Sequence, residues 1–277
     1  MALMVLVNTA GTGEHVYSEL RHASWHGWTL ADVVFPSFVW IVGVAITLSL
    51  GKRLKAGDSP GKLLGPILRR AAIIFALGLL VYAIPKFDAA TFRVLGVLQR
   101  IAICYLVAAV IFLYTGVRGQ IIATVACLGG YWALMMFAPV PGHGAGHLDV
   151  ERNFSHYIDR IVLGAHNYEH TKTWDPEGVI STLPSIASAL LGVLAGQILA
   201  LAGVPLTDRV KKLALIGAVL IPAALVWHQW LPINKSIWTS SFAVFMAGLD
   251  FVLFAICLWA VDVRGMRGWT RPFVIMG

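Results

Sequence analysis

The sequence is poor in charge. Only 13% of its 277 residues are Asp, Glu, Lys or Arg, whereas 58% are hydrophobic and the mean hydropathy is +0.77. A soluble globular domain carries about a quarter charged residues, so this composition excludes that class. Several apolar segments reach the roughly 20 residues that an α-helix needs to cross a bilayer. The sequence therefore predicts an all-α, polytopic transmembrane helix bundle.

Cysteine is scarce as well, and a secretory signal is lacking. Cys104, Cys127 and Cys257 all fall in apolar segments, where a small hydrophobic role is expected rather than a disulfide or a metal site. Residues 1–7 are too short for a charged region followed by an apolar one, and too short to span a bilayer. The chain is thus expected to begin part-way through its first transmembrane helix, and residues 271–277 are expected to start another.

Seven complete spans are predicted between these partial helices, at 33–50, 71–84, 95–114, 121–138, 182–201, 213–231 and 238–261. The second is so short that a tilt or a thin bilayer is expected there. Residues 1–277 are interpreted as one transmembrane domain with two long outer loops, an active-site loop at 8–32 and a second loop at 139–180. Gly192 and Gly196 form a small-xxx-small pattern that predicts close packing within the bundle, with a homodimer as the alternative.

Lysine and arginine are distributed unevenly over the loops. The loops on one side carry thirteen basic and three acidic residues, and those on the other side carry seven basic and ten acidic residues. Basic loops normally face the cytoplasm, so the first side is predicted to be cytoplasmic. The net charge of +7 then reflects topology and contact with anionic membrane lipid, and nucleic acid is not an expected partner.

The densest polar cluster lies at residues 22–36, just before the first complete span. The imidazole of His22 suits proton transfer near neutral pH, and a carboxylate such as Asp32 could hold its tautomer. The alternative is a surface loop in which Asp32 only caps a helix whose first turn contains Pro36.

Gln99 and Arg100 interrupt the third span. A charged residue in a membrane helix costs about 3 kcal/mol or more unless it faces protein, water or a ligand. Arg100 is therefore expected to meet a partner inside the bundle, and Asp250 is the only other charge placed in a span. Snorkelling of Arg100 to the interface is the alternative.

Histidines at 166 and 170 match the H-x-x-E-H pattern of inverted zinc proteases. Such a site needs a helix to bring both histidines to one face, and His166 to His170 lie among Gly, Asn and Thr without a helical pattern. We therefore expect no metal.

The sequence resembles the heparan-α-glucosaminide N-acetyltransferase family over nearly its whole length. The matching segments are MVLVN (4–8), HASWHGWTLADVVFP (22–36), GVLQR (96–100), IDR (158–160) with LG (163–164), WDPEG (174–178), PINKSIW (232–238) and VDVRG (261–265). The family's upstream Arg-Ser-x-Asp-x-x-Arg-Gly segment and the helices after residue 277 are missing, so an incomplete chain is expected. The loop between residues 8 and 22 also differs in length from the animal form, so a different acceptor pocket is expected.

This resemblance implies a transmembrane acetyltransferase that takes acetyl from cytoplasmic acetyl-CoA and delivers it to an amino sugar or glycan on the far side. It places the active-site histidine on His22, with Asn8 and Asp32 as neighbours. It also implies that Gln99 and Arg100 line the passage of acetyl-CoA.

Two routes of transfer remain open from the sequence. His22 acts either as general base on the acceptor amine or as a transient acetyl carrier, with Asp32 orienting its ring and Asn8 donating to the oxyanion. The CoA phosphates are expected near the basic residues Lys52, Arg53, Arg69 and Arg70.

Two other functions also remain open. One is a transporter or channel that moves a sugar or an ion past Arg100 and Asp250. The other is an O-acetyltransferase acting on envelope polysaccharide. A bacterial cytoplasmic membrane is the expected location, since the loops are short.

Overall fold

A computed structural model describes residues 2–9, 16–84 and 87–276. Within these ranges the chain forms helices and no β-strand, which confirms the predicted all-α class. The α-helices are α1 Ala2–Asn8, α2 Leu30–Lys55, α3 Pro60–Ala83, α4 Val97–Tyr114, α5 Val117–Phe137, α6 Phe154–Val162, α7 Thr182–Leu199, α8 Leu206–Trp227, α9 Ser240–Leu258 and α10 Arg271–Met276. Short 3₁₀ turns cover Ser18–Leu20 and Gly164–His166, and a π-helical turn at Trp259–Val263 extends α9.

Seven helices in the described part of the chain are long and apolar enough to cross a membrane, namely α2, α3, α4, α5, α7, α8 and α9 with its π-helical turn. This agrees with the seven spans predicted from the sequence. The prediction for α3 was too short, because the helix begins at Pro60 and includes Lys62, Arg69 and Arg70 in its first half. With 24 residues α3 can reach across a bilayer without thinning it.

Consecutive spans run in opposite directions, so the connections between them alternate between two ends of the bundle. These two ends differ in loop length and in charge. The His22 end contains the first turns of α2, α4, α7 and α9, together with the long connections before α2 and between α5 and α7. The basic end contains the short connections at 56–59, 115–116 and 200–205. The lysines and arginines of residues 52–70 lie at the basic end.

Glycine brings α2 and α7 together in the middle of the bundle. A Cβ at Gly43 would lie 1.9 Å from the Ala189 carbonyl oxygen, and one at Gly192 would lie 1.9 Å from that of Trp40. Only hydrogen side chains fit such a close backbone approach. The small-residue pattern at 192–196 thus packs within the bundle, as predicted, and fixes α2, the helix that carries Asp32.

Candidate active site

The first turn of α2 holds Asp32 in place. Thr29 is the N-cap residue, and its backbone N–H donates to Oδ2 of Asp32 at 3.0 Å, as in a capping box. The Ala23 N–H donates to the same oxygen at 3.0 Å. Asp32 does cap the helix, as one reading of the sequence proposed, but Pro36 lies beyond the first turn.

His22 is hydrogen-bonded to the buried Asp32. Its Nδ1 lies 2.6 Å from Oδ1 of Asp32, and the side-chain exposures are 52% for His22 and 0% for Asp32. An ionised carboxylate can only accept hydrogen bonds, so Nδ1 of His22 carries the proton and donates it. Nε2 of the neutral ring then has a free lone pair, which can take a proton or attack a carbonyl carbon.

The loop that carries His22 is attached to the connection between α8 and α9. Gly27 adopts φ 102° and donates its backbone N–H to the Ile233 carbonyl at 2.7 Å. Next to it, the ring of His26 contacts the side-chain amide of Asn234 at 3.3 Å. Burial lowers the pKa of His26, and the charge of His228 lowers it further. A neutral His26 therefore favours the attached position of this loop.

A cavity of about 330 Å³ opens beside His22. Three polar side chains, His22, Glu177 and Lys235, line it. The rest of its wall is apolar and comes from α1, α2 and α4, namely Met4, Val7, Ala31, Val34, Phe35, Phe38, Val97, Leu98 and Ile101. An apolar cavity with a few convergent polar groups is the usual form of a small-molecule site.

Glu177 is held at this cavity by Arg93. The Arg93 guanidinium donates twice to Asp175, at 2.8 and 2.6 Å, and once to Oε2 of Glu177 at 2.6 Å. It also donates to the Tyr82 hydroxyl at 3.0 Å and lies 4.4 Å from the Tyr168 ring centroid. Burial alone would lower the pKa of Arg93, but its two carboxylate partners raise it above the usual value.

Sequence reasoning did not assign roles to Arg93, Glu177 and Lys235. Arg93 and Glu177 are 84 residues apart, so no local spacing could predict their contact. A weaker signal was present, because Glu177 and Lys235 belong to the family-like segments WDPEG and PINKSIW.

The segment that carries Glu177 is anchored by Asp159 of α6. Asp159 is fully buried and accepts the Val179 N–H at 2.9 Å. A Cβ at Gly178 would lie 2.1 Å from its Oδ2, so glycine is needed there. Burial raises the pKa of Asp159 to about 6, although the backbone N–H donors of Val179 and Asp175 oppose the shift.

Gln99 and Arg100 lie beside the cavity but do not line it. Their neighbours Val97, Leu98 and Ile101 face it. Gln99 is fully buried, and neither polar atom of its amide has a partner among the described residues. A Cβ on Gly78 of α3 would lie 2.6 Å from its Oε1. The predicted role of Gln99 and Arg100 in binding acetyl-CoA stays a prediction.

Arg100 has its partners inside the bundle, as predicted, and Asp250 is not one of them. Arg100 donates from Nη2 to the Gly178 carbonyl at 3.2 Å and to the Ser181 hydroxyl, and its guanidinium lies 5.1 Å from the Trp238 ring centroid. It is therefore buried rather than snorkelling. Asp250 instead accepts from the Ser37 hydroxyl at 2.5 Å.

Asn8 is the last residue of α1, the helix whose Met4 and Val7 line the cavity. The side chain of Asn8 lies outside the described residues, so its place in the site stays a prediction.

His166 and His170 are not on one helix. His166 ends a 3₁₀ turn and contacts the Phe92 carbonyl through Nδ1 at 2.7 Å. In the described ranges, no three His, Cys, Asp or Glu side chains are grouped as metal ligands.

A second cavity of about 380 Å³ lies at the basic end, between α2, α3 and α4. Three of the four predicted phosphate-binding residues line it, Arg53, Arg69 and Arg70, whereas Lys52 does not. The Arg70 guanidinium lies 5.2 Å from the ring centroid of Tyr105, which lines the same cavity. Arg53 also donates to Asp58 at 2.8 Å.

Comparison with known proteins places this arrangement in a family. The profile of the family described as "Heparan-alpha-glucosaminide N-acetyltransferase, catalytic" matches residues 1–218. The chain belongs to the heparan-α-glucosaminide N-acetyltransferase family. Two curated relatives carry the name heparan-alpha-glucosaminide N-acetyltransferase. The protein of Mus musculus is 33% identical over 336 aligned residues, and that of Homo sapiens is 30% identical over 331.

Both alignments cover 100% of this chain, and they cover 50% of the mouse protein and 49% of the human protein. The chain thus spans about half the length of these heparan-α-glucosaminide N-acetyltransferases. The matched residues 1–218 include His22, Asp32 and Glu177, and they end before Lys235.

Proposed function

We propose that the protein is a transmembrane acetyltransferase that moves acetyl from acetyl-CoA, bound from the basic end, to an amino sugar or related glycan at the His22 end. The observation that carries this proposal is the contact between His22 and Asp32 at a largely apolar cavity. Membership of an N-acetyltransferase family supports acyl transfer as the reaction.

The two cavities suit the two parts of CoA. At the basic end, Arg53, Arg69 and Arg70 supply positive charge for phosphate groups. At the His22 end, apolar walls with few polar groups suit an acylated thiol arm.

Both cavities lie along the same pair of helices, α2 and α4. On α2, Phe38 of the His22 cavity and Ser49 of the basic cavity are eleven positions apart, or roughly 16 Å. On α4, Ile101 and Tyr105 are about one turn apart. We infer that acetyl-CoA extends between these two helices, from the arginines to His22.

The unsatisfied side chains of α4 fit such a ligand. Both amide atoms of Gln99, and Nε and Nη1 of Arg100, are buried without a partner in the described part of the chain. Unpaired polar groups inside a protein are costly. We infer that these groups bind the amide groups of the CoA arm, which requires their side chains to turn towards the cavity.

Acetyl-CoA supplies an acetyl group activated as a thioester. In one route His22 Nε2 acts as general base: it takes a proton from the acceptor amine as the amine nitrogen bonds to the acetyl carbon, the C–S bond breaks, and the proton passes to the departing CoA thiolate. In the other route Nε2 itself bonds to the acetyl carbon as the C–S bond breaks, and the amine then takes the acetyl group from the ring and gives up its proton, which leaves with the CoA thiol. In either case, Asp32 keeps the Nδ1 proton in place and stabilises the positive charge that develops on the ring. Lys235, which lines the cavity, and Asn8 are the candidates for stabilising the oxyanion.

We infer that the basic end faces the cytoplasm, since basic residues accumulate there, and that the host membrane is the cytoplasmic membrane of a bacterium. His22 then faces the opposite side. This orientation gives the arginine cavity direct access to the cytoplasmic pool of acetyl-CoA.

The proposal is tested by incubating the full-length protein in lipid vesicles with acetyl-CoA and a panel of amino sugars and glycans, followed by mass spectrometry of the products. We expect a gain of one acetyl group on an amine. If only hydroxyl groups are acetylated, the protein is an O-acetyltransferase and the proposed transfer to an amine is wrong. Absence of acetyl-CoA binding, together with solute uptake into the vesicles, would contradict the proposal and favour a transporter.

The arginine cavity has its own test. Arg70→Ala should raise the KM for acetyl-CoA by about tenfold, the loss of one charge-assisted hydrogen bond. Lys52→Ala is the matched control, since Lys52 is a nearby cation that does not line this cavity. Equal effects of the two substitutions would contradict a specific phosphate site.

A further inference from the structure

The described charges around the polar end of the His22 cavity do not balance. Three basic side chains, Arg93, Arg100 and Lys235, lie among the carboxylates of Asp32, Asp159 and Asp175, and Arg93 is paired with Asp175 at 2.8 and 2.6 Å. Glu177 is the fourth carboxylate in this group, and it shares the guanidinium of Arg93 with Asp175. The group therefore carries one surplus negative charge, and Glu177 is the member of the Arg93 cluster that lines the cavity.

Glu177 has one oxygen available. Its Oε2 accepts from Nη2 of Arg93 at 2.6 Å, and no described residue donates to Oε1. The residue is only 6% exposed, so its charge is poorly screened by water and acts strongly on a cation in the cavity. Because the Tyr82 hydroxyl and the Tyr168 ring also hold Arg93, the carboxylate of Glu177 has a fixed position before a ligand binds.

We propose that Glu177 binds the ammonium group of the acceptor, so that amines are selected over hydroxyl compounds, a role that rests on the acetyl transfer proposed above. The R–NH₃⁺ group donates to Oε1 of Glu177 while His22 Nε2 accepts one of its protons. This proton transfer converts R–NH₃⁺ and neutral imidazole into R–NH₂ and imidazolium, and leaves Glu177 ionised throughout. A hydroxyl group brings no positive charge to this carboxylate, so it gains less from the same contact.

The test compares Glu177→Gln with Asp175→Asn in the full-length protein. Both substitutions remove one carboxylate charge beside Arg93 and keep the shape of the side chain, but only residue 177 lines the cavity. We expect E177Q to raise the KM for glucosamine roughly 10- to 100-fold, the loss of a charge-assisted hydrogen bond. The KM for acetyl-CoA should stay within about threefold in both variants, and D175N should raise the glucosamine KM by less than about tenfold, clearly less than E177Q does.

Calorimetric binding of glucosamine without acetyl-CoA gives a second measurement that does not depend on catalysis. We expect E177Q to weaken this binding by the same roughly 10- to 100-fold, and Glu177→Asp, which keeps the charge, to restore part of it. Glucose, which lacks the amine, should bind wild type and E177Q equally. Thermal unfolding of each variant identifies any loss of folded protein, and E177D then serves as the variant that keeps the carboxylate charge.

The two proposals fail in different ways. If wild type binds glucosamine better than E177Q does but transfers no acetyl, the proposed reaction is wrong and the role of Glu177 in binding stands. If wild type transfers acetyl and E177Q matches D175N in both KM and binding, the role of Glu177 is wrong and the reaction stands.

Discussion

Asp32→Asn is the substitution that most directly tests the role assigned to the pair of His22 and Asp32. Oδ2 of Asp32 accepts the backbone N–H groups of Ala23 and Thr29, both at 3.0 Å. In the variant, the amide oxygen of asparagine must take the Oδ2 position to keep both bonds. The NH₂ group then takes the Oδ1 position and faces Nδ1 of His22 at 2.6 Å.

Two N–H groups cannot face each other at that distance, so the His22 ring must change its tautomer. Nδ1 becomes the acceptor from the NH₂ group of the introduced amide, and the proton moves to Nε2, which loses its free lone pair. General base catalysis by a side chain is worth about 10²- to 10⁴-fold in rate. We expect kcat to fall by roughly that factor, with a loss of stability of about 1–3 kcal/mol, since the charge-assisted bond to His22 is lost.

The assay is steady-state acetyl transfer by the purified full-length protein, with thermal unfolding to verify folding. Thr29→Ala is the control, because it removes the hydroxyl contacts to Asp32 at 3.2 Å and to the Arg21 carbonyl at 2.6 Å but removes neither atom of the bond between His22 and Asp32. It should cost about 1 kcal/mol of stability and change kcat by less than about tenfold. A folded D32N variant with wild-type kcat would refute the tautomer argument.

Two further predictions concern the stability of the fold. Burial lowers the pKa of His156 to about 4, against about 6.5 in the unfolded chain. The neutral His156 ring stacks on Trp174. Its contribution to stability is therefore complete above pH 6.5 and is lost as the pH falls towards 4. His156→Phe keeps a ring at this position, so the protection of residues 149–156 against hydrogen exchange, corrected for the intrinsic rate, should fall less between pH 6.5 and 4 than in wild type. An equal fall in both proteins would contradict this assignment. Gly192→Ala should lower the free energy of unfolding by about 1–3 kcal/mol, because its Cβ would lie 1.9 Å from the Trp40 carbonyl oxygen. Gly129→Ala is the control, since a Cβ there meets open space. Equal unfolding temperatures of the two variants would count against close packing of α2 on α7.

The sequence predicted the spans well because each needs a continuous apolar segment of fixed length, a local property. It misplaced the start of α3, since Lys62, Arg69 and Arg70 at the basic end of the helix look like loop residues in a hydropathy pattern. Charged side chains of this kind can extend along a helix to the membrane surface, so charge alone does not mark the end of a membrane helix.

In the candidate site too, some contacts could be predicted from the sequence and others could not. His22 and Asp32 are ten residues apart around a single helix start, and their contact could be predicted from side-chain chemistry and capping. Arg93 and Glu177 meet only because the long connection between α5 and α7 folds back over the bundle, which no local periodicity reports. The sequence predicted a partner for Arg100 inside the bundle but not which one, because a hydropathy pattern does not show that the Gly178 carbonyl lies within reach of Arg100.

Acetyl transfer by His22→Ala in the full-length protein tests the central claim most directly. We expect acetyl-CoA binding to be retained while transfer to glucosamine falls by about 10²-fold or more. His26→Gln, four residues away in the same loop but not lining the cavity, should keep most of the activity. Full acetyl transfer by folded His22→Ala protein would contradict the assignment of His22 as the residue that performs the reaction.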